Sequence, residues 1–503
     1  MVRRRQESTR LAAHLAARPR AKKNSAGILA HFQQLWHECG PGFSQRRLAA
    51  HAQTLALSTL LCLGRHTVTG LLTTCGAQFR DWTSSYRLFS HDRLPAQTIF
   101  AVVRRALVDA LPAHAPVRAC LDDSLLRRSG PHTPGVGWRR DPLGPPFQTN
   151  LVRAQRFLQT SLLLSAGEGS CRLIPVAFRH VPTPAKPGPK ATPAEQQAYR
   201  AQARAARLGQ RAREQISELR AALDADPASA SRRLLVAFDG GYTNGTVLKH
   251  LPPNTIALGR LRQDARLLFR PDPATQKPRG RHLCYGPPAP TPEQVRTDDS
   301  PWETLTLKHH GIAHQLRYKR RTRRMWRAAG AHQVLQLIVI APLAYRLRKG
   351  AKLLYRKPAF LICTDPDLDP QVVIETYVQR WDREVNFREE KTLLGVGQAQ
   401  VRDPRSVESA PALTVAAYAL LLLATQRAFA DSRQALLPRP KWIRPSPGVR
   451  ISTQQAIHQL RAEVWGRGLG LDNFSGFASA PPAATKPEKS SFPLASAVCY
   501  ANA

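Results

Sequence analysis

The hydrophobic pattern along the chain changes from helical to strand-like near residue 112. Apolar residues recur at helical spacing through 27–110, where strand-like alternation is scarce. Farther along, short apolar runs predict strands at 117–124, within 158–178, and at 233–239, 334–340 and 359–364. An exposed helix is expected at 193–223, which is rich in Ala, Gln, Glu and Arg. The alternation of predicted helices and strands after residue 112 indicates an α/β fold.

Three later segments complete the pattern. Residues 255–350 carry short apolar pieces interrupted by Pro, Gly and Arg, which predicts an irregular β-rich segment with a basic surface. A polar helix is expected over about 370–393 and an apolar one over 411–428. The longest apolar run, 413–424, is too short to span a bilayer, so it predicts a buried helix and no membrane partner.

The composition shows a large excess of basic residues. Lys and Arg number 74 against 35 Asp and Glu, which gives a formal net charge of +39. The excess is distributed over the N-terminal region, 318–324 and 345–357, so it is not one basic tail. A polyanion is therefore the expected partner, with nucleic acid favoured over an acidic membrane surface. The eight Cys include no CxxC pair and no apolar leader follows the basic N-terminus, which favours reduced thiols in the cytoplasm.

Acidic residues end two of the predicted strands. Asp122 and Asp123 end the first, and Asp239 ends the strand at 233–239. A carboxylate at the end of an apolar strand is costly unless it is paired or binds a metal. The alternatives are a cap for the next segment in the first case and a strand-terminating Asp-Gly-Gly turn in the second.

The polar helix carries a third acidic residue between two cations. On a continuous helix Tyr377, Arg380, Glu384 and Lys391 project within an arc of about 60°. Alone, this pattern is typical of a solvated ion-pair face. Together with the aspartates, it predicts an oxygen-rich site for two Mg²⁺ ions, or for Mn²⁺. Two such ions activate water and stabilise the leaving oxygen of a phosphodiester, while Arg380 and Lys391 would contact phosphate.

A family resemblance sharpens this interpretation. The stretch 377–391, YVQRWDREVNFREEK, matches Y-x2-R-x3-E-x6-K, the signature of a large group of bacterial insertion-sequence transposases. LLVAFDGGYTN is similar to the strand that carries their second aspartate, and CLDDSLLRRSG is similar to the strand that carries their first. The long interval between Asp239 and Glu384 resembles the one that holds their β-rich insertion.

The resemblance implies a role for each of these residues. Asp123, Asp239 and Glu384 would be the catalytic DDE triad and the metal ligands. Tyr377, Arg380 and Lys391 would contact DNA phosphates near the transposon end. Adjacent strand residues point to opposite faces, so only one of Asp122 and Asp123 can face the metals. Asp123 is favoured because an Asp followed directly by Ser or Thr fits the family pattern better, and Asp122 is the alternative.

The resemblance also implies the organisation of the chain. The expected fold is a ribonuclease H-like α/β core, interrupted by a β-rich insertion and preceded by an N-terminal helical domain. The expected boundaries are 1–112 for the basic helical DNA-binding region, 113–254 and 351–430 for the two parts of the core, 255–350 for the insertion, and 431–503 for a C-terminal tail region.

The expected activity is DNA transposition by metal-dependent cleavage and strand transfer at the terminal inverted repeats of an insertion sequence. Double-stranded DNA, at the transposon ends and the target, would be the partner, bound by a homodimer in the bacterial cytoplasm at the nucleoid. Two alternatives stay open. One is a ribonuclease H-like nuclease without strand transfer, and the other is an inactive, transposase-derived DNA-binding protein.

Overall fold

The computed structural model describes residues 26–501, with gaps at 129, 131, 142–143, 146, 168, 277–278, 281, 310, 349, 430–436, 438–439, 441, 443–449 and 470–493. The N-terminal part is helical, as the apolar spacing predicts. Among its described residues, from 26 onward, the helices are α1 (Ile28–Cys39), α2 (Arg46–Leu61), α3 (Val68–Thr74), α4 (Thr83–Ser90) and α5 (Ala96–Asp109). In α1 the buried residues Ile28, Phe32, Leu35 and Trp36 follow the helical period and face one core.

The central structure is one large mixed sheet. Its strand order is β2-β3-β1-β5-β6-β12-β9-β8-β7, and β4 pairs with β3. Strands β1, β5 and β6 run parallel, and the remaining pairs are antiparallel. This mixed sheet with flanking helices fits the predicted ribonuclease H-like core. The strands are β1 (Val117–Arg127), β2 (Gly137–Arg140), β3 (Leu151–Ser165), β4 (Cys171–His180), β5 (Leu234–Phe238), β6 (Thr255–Arg260), β7 (Glu303–His309), β8 (Ile312–Arg324), β9 (Leu335–Ile340) and β12 (Ala359–Cys363).

Helices and a small hairpin connect or cover these strands. A separate two-stranded sheet is formed by β10 (Ala344–Tyr345) and β11 (Leu354–Tyr355). The helices after β4 are α6 (Pro193–Ala205), α7 (Leu208–Asp224), α8 (Gly245–Leu248), α9 (Pro292–Thr297), α10 (Pro370–Gln379), α11 (Asp382–Thr392), α12 (Ser406–Phe429), α13 (Thr453–Trp465) and α14 (Leu494–Cys499).

The segment predicted as a β-rich insertion, 255–350, shares its sheet with the core. Its first strand, β6, pairs in parallel with β5, and β12 pairs with both β6 and β9. Strands β7, β8 and β9 thus extend the same sheet instead of forming a second one. Residue 255 is therefore not a boundary between two sheets.

The basic run 318–324 is less exposed than its composition predicts. Lys319 is 1% exposed, and its Nζ lies 2.8 Å from an Asp298 carboxylate oxygen. Arg321 binds the other oxygen of Asp298 at 2.8 Å. These contacts hold the pKa of Asp298 well below its usual range, although partial burial acts in the opposite direction. Part of the predicted basic surface is therefore neutralised by an ion-pair cluster in which only Lys319 is buried.

The polar helix predicted over 370–393 is two helices. α10 ends at Gln379 and α11 begins at Asp382, with a turn at Arg380 and Trp381 between them. No Gly or Pro marks this break, so the sequence pattern predicts one continuous helix. Arg380 and Trp381 nevertheless keep right-handed helical backbone angles, so the chain turns more tightly here without leaving the helical region.

The apolar helix α12 lies in the core. It is 24 residues long, more than the apolar run alone indicates, and by length and composition it would be able to cross a bilayer. In the structure 83% of its most apolar window is buried inside the protein. It packs against α1, α5 and β4, so it joins the helical region to the sheet.

Candidate active site

Strand pairing brings Asp122 and Asp239 to neighbouring positions at one edge of the sheet. In the parallel pair of β1 and β5, Leu121 is opposite Phe238. Asp122 is the next residue of β1, so its side chain turns to the opposite face from Leu121, and Asp239 is the first residue after β5. Asp122 thus shares a face with Cys120, which packs in the apolar cluster under α10.

Asp123 points to the other face and is held there. The Tyr242 hydroxyl donates to its Oδ1 at 2.6 Å, and the Nε of Arg156 lies 3.3 Å from its Oδ2. Tyr242 follows Asp239 in the loop after β5, where its N–H donates to the Asp239 carbonyl. Asp123 therefore fastens the loop that carries Asp239. Asp123, the residue favoured as a metal ligand, thus has two side-chain partners on this face, whereas Asp122, the alternative, faces α11.

Helix α11 packs on the face that carries Asp122. The Nη2 of Arg383 lies 2.5 Å from Asp122 Oδ2, and its Nη1 donates to the Leu121 carbonyl at 3.3 Å. Arg383 is 2% exposed, whereas the next residue, Glu384, is exposed in the first turn of α11. Burial raises the pKa of Asp122 to about 6; the Arg383 guanidinium opposes this shift, and the Asp239 carboxylate adds to it.

Tyr377 and Arg380 lie next to each other near Asp239. The Arg380 guanidinium is 5.1 Å from the centre of the Tyr377 ring. Burial is the main cause that raises the pKa of Tyr377, while the charges of Arg380 and Arg260 oppose the shift and that of Asp239 adds to it. The Asp239 carboxylate is therefore close enough to Tyr377 to affect its pKa.

Lys391 lies at the far end of α11, toward Asp123. Desolvation lowers the pKa of its ammonium, and Glu390 and Asp123 act against that shift while Arg127 adds to it. The predicted DNA-contacting residues thus fall into two places. Tyr377 and Arg380 are beside Asp239, and Lys391 is beside Asp123.

The three carboxylates of Asp122, Asp239 and Glu384 suit a divalent cation by their chemistry. They supply only oxygen ligands, which Mg²⁺ and Mn²⁺ prefer. Within the part of the chain that the structure describes, however, no three His, Cys, Asp or Glu side chains form a group that could hold an ion. Arg383 occupies one oxygen of Asp122, so metal binding there requires Arg383 to share or release that oxygen.

Several residues of the site carry no signal in the sequence pattern. Arg383, Tyr242 and Arg156 were not predicted to take part. Strand alternation predicts that Asp122 and Asp123 point to opposite faces. It does not predict which face carries the site, because β1 is buried on both faces around Cys120 and Leu121. The only sequence hint for Arg383 is its position directly before Glu384.

The family comparison identifies the superfamily of the chain. The family model of the DDE superfamily endonucleases matches residues 39–333, more than half of the chain, and the protein belongs to that family. The match contains β1 and β5 with Asp122, Asp123 and Asp239, and it ends before α11 and Glu384. It implies DNA as the substrate and an endonuclease or transposase activity. No curated protein matches the chain as a relative.

Proposed function

We propose that this protein is a DNA transposase that cleaves the terminal inverted repeats of an insertion sequence and transfers the freed strand to target DNA by cut-and-paste transposition. The observation that carries the proposal is that Asp122 and Asp239 each come one residue after the paired Leu121 and Phe238 of neighbouring parallel strands, with α11 packed against Asp122, in a chain of the DDE endonuclease family. The Y-x2-R-x3-E-x6-K spacing supports the transposase branch over a simple nuclease.

In this proposal Asp122, Asp239 and Glu384 hold two Mg²⁺ ions, or Mn²⁺. When bound, such ions lower the pKa of an attacking water and stabilise the leaving oxygen. Tyr377 and Arg380 orient a DNA phosphate beside Asp239, and Lys391 contacts a second phosphate at the other end of α11. Asp123 is assigned to holding the Asp239 loop through Tyr242, not to metal binding.

The partners follow from the same reasoning. Double-stranded DNA supplies the phosphates that the net charge of +39 attracts, with an affinity that falls steeply as salt rises. Both transposon ends have to be held together for cut-and-paste transposition, so we infer a homodimer on DNA in the bacterial cytoplasm at the nucleoid.

The decisive experiment uses a labelled duplex that carries the element's own terminal repeat. Wild type, Asp122→Asn, Asp123→Asn and Glu384→Gln are compared in Mg²⁺, Mn²⁺ and EDTA. The proposal expects metal-dependent cutting by wild type, DNA binding without cutting by Asp122→Asn and Glu384→Gln, and residual cutting by Asp123→Asn. The two neighbouring Asp→Asn variants are matched controls for each other.

The other outcomes distinguish the alternatives. Cleavage without joining of the cut end to target DNA indicates a nuclease without strand transfer. Binding without cutting by wild type in either metal indicates an inactive, transposase-derived DNA-binding protein. Full cutting by Asp122→Asn and none by Asp123→Asn would return the ligand role to Asp123.

A further inference from the structure

The segment 450–465, which we call the C-terminal strap, contacts both α11 and the start of α1. It consists of Arg450, two linking residues and α13, and it lies beyond the part of the chain that the family model matches. At one end it contacts α11. At the other end Glu463 accepts the backbone N–H groups of Ile28 and Leu29 at 3.2 and 2.7 Å, at the start of α1.

The strongest contact of the strap is a two-pronged ion pair with the first residue of α11. The Nη2 of Arg450 lies 2.6 Å from Oδ1 of Asp382, and its Nη1 donates to Oδ2 at 3.0 Å. Asp382 also accepts the Leu173 backbone N–H of β4 at 2.9 Å. Side-chain exposure is 7% for Asp382 and 19% for Arg450, so the pair is largely shielded from water.

A second contact fixes the other end of α11. The Thr453 hydroxyl donates to Glu389 Oε2 at 2.6 Å, and so does the Tyr418 hydroxyl of α12. Thr453 accepts in turn from the buried Arg172 of β4 at 3.3 Å. The strap therefore ties both ends of the short helix to the sheet and to α12.

The turn between α10 and α11 makes these contacts matter. Arg380 and Trp381 keep right-handed helical backbone angles, but the N–H groups of Trp381, Arg383 and Glu384 bond to the carbonyl three residues back, so a tightened turn with weaker hydrogen-bond geometry joins the two helices. No side chain caps the first turn of α11. Asp382 is separated from Glu384 by one residue, so the Arg450 ion pair holds the turn of helix that carries the proposed metal ligand.

We propose that Arg450 is a positioning residue that sets the orientation of α11, and with it the direction of Glu384 toward Asp122 and Asp239. The catalytic consequence rests on the proposed transposase function, but the structural claim does not. Arg450 touches neither DNA nor the reacting phosphate in this scheme; it acts on α11 through Asp382 and also donates to the Cys171 carbonyl of β4.

The test compares the full-length variants Arg450→Gln, Arg450→Lys and Asp382→Asn/Arg450→Gln with wild type. Arg200→Gln is the matched control, because Arg200 lies on α6, which has no buried residue. Hydrogen exchange of the α11 amides is measured together with the rate of terminal-repeat cleavage and the DNA affinity. Arg450→Gln leaves the buried Asp382 carboxylate without its ion-pair partner, which destabilises the fold. Asp382→Asn in the double variant removes that charge.

Faster exchange confined to 382–392 is expected in Arg450→Gln, with a partial return in Arg450→Lys. The cleavage rate should fall about 100-fold, the loss typical of a slight misplacement of a catalytic group, while DNA affinity stays unchanged. The double variant should regain thermal stability but not the rate. Unchanged α11 exchange in Arg450→Gln, or full recovery of exchange and rate in the double variant, overturns the proposal. Absence of wild-type cleavage overturns the proposed function instead, and the exchange data still decide the role of Arg450.

Discussion

Asp122 lies on β1 and Asp239 directly follows β5, and the backbones of these two strands pair along five residues, whereas Glu384 lies on a short helix held by side chains from other parts of the chain. The strand half of the site is positioned by hydrogen bonds that any sequence forming those strands would make. The helix half depends on Arg383, Asp382 and Glu389 finding particular partners. We therefore expect single side-chain changes to disturb the helix half more than the strand half.

The largest expected effect is at Arg383, the residue that joins the two halves. Arg383→Met should lower the free energy of unfolding by about 4 kcal/mol, because it leaves the Asp122 carboxylate without its partner in a largely buried position. Urea denaturation at pH 7.5 measures the change. Adding Asp122→Asn should recover part of the loss. A loss below about 1 kcal/mol would contradict the view that this pair couples the halves.

The next effect concerns Glu390 on the buried face of α11, where the neighbouring groups are Gln159, Lys391 and Glu389. Burial raises its pKa to about 8. The folded protein therefore binds this proton more tightly than the unfolded chain, and the associated stability is present at low pH and lost as pH rises toward 8. Glu390→Gln removes that loss. The free energy of unfolding of Glu390→Gln should match that of wild type near pH 5 and exceed it by an amount on the order of 3 kcal/mol at pH 8.

Thermal denaturation of both proteins from pH 5 to pH 8 measures this difference. An identical pH dependence in Glu390→Gln and wild type would mean that the carboxyl is solvated in solution. Glu375→Gln, at a half-buried position on α10 whose carboxylate accepts from Gln371, is the matched control and should follow wild type at every pH.

A smaller effect is expected in the strand half, where Tyr242 binds Asp123. Tyr242→Phe removes one hydrogen bond to a carboxylate and should cost about 2 kcal/mol of unfolding free energy. Cleavage should slow because the Asp239 loop loses its tie to β1, while metal dependence persists. A complete loss of metal dependence in Tyr242→Phe would instead assign Asp123 to the metal site.

The smallest effect is expected for an ion pair on the surface. Arg262 and Asp264 form a contact of 3.0 Å with side-chain exposures of 86% and 62%. Arg262→Gln should leave the urea midpoint unchanged, because water screens such pairs. Compared with Arg383→Met, it separates the effect of burial from that of losing an arginine. A large shift in Arg262→Gln would show that charge number, not burial, sets the stability of this basic chain.

The acidic positions of the site could be predicted from the sequence. Which of the neighbours Asp122 and Asp123 faces α11 could not. Asp239 ends a short apolar strand and Glu384 lies on a charged helix, and both signals are local. Asp122 and Asp123 lie in a strand that is buried on both faces, so the apolar pattern has no period of two to distinguish them. The register with β5 and the packing of α11 distinguish them in the structure.

Two further differences between the predicted and the observed structure also arise from information that the local sequence does not contain. The turn at Arg380 and Trp381 has no Gly or Pro signal, so the periodic pattern runs through it. The basic run 318–324 predicts an exposed surface, yet Asp298 neutralises part of it from more than twenty residues away in the chain. Local composition does not specify a partner that folding brings from elsewhere.

The sequence by itself determined the secondary structure of most elements, the basic character, and the acidic residues that end two strands and lie on a charged helix. These follow from hydrophobic period and charge, which act between near neighbours in the chain. Only the tertiary structure decided that Asp122 pairs with Arg383 of α11 while Asp123 binds Tyr242, and that Arg450 pairs with Asp382. Each of these depends on sheet register or on packing between distant segments, whose energy appears only when the whole chain has folded.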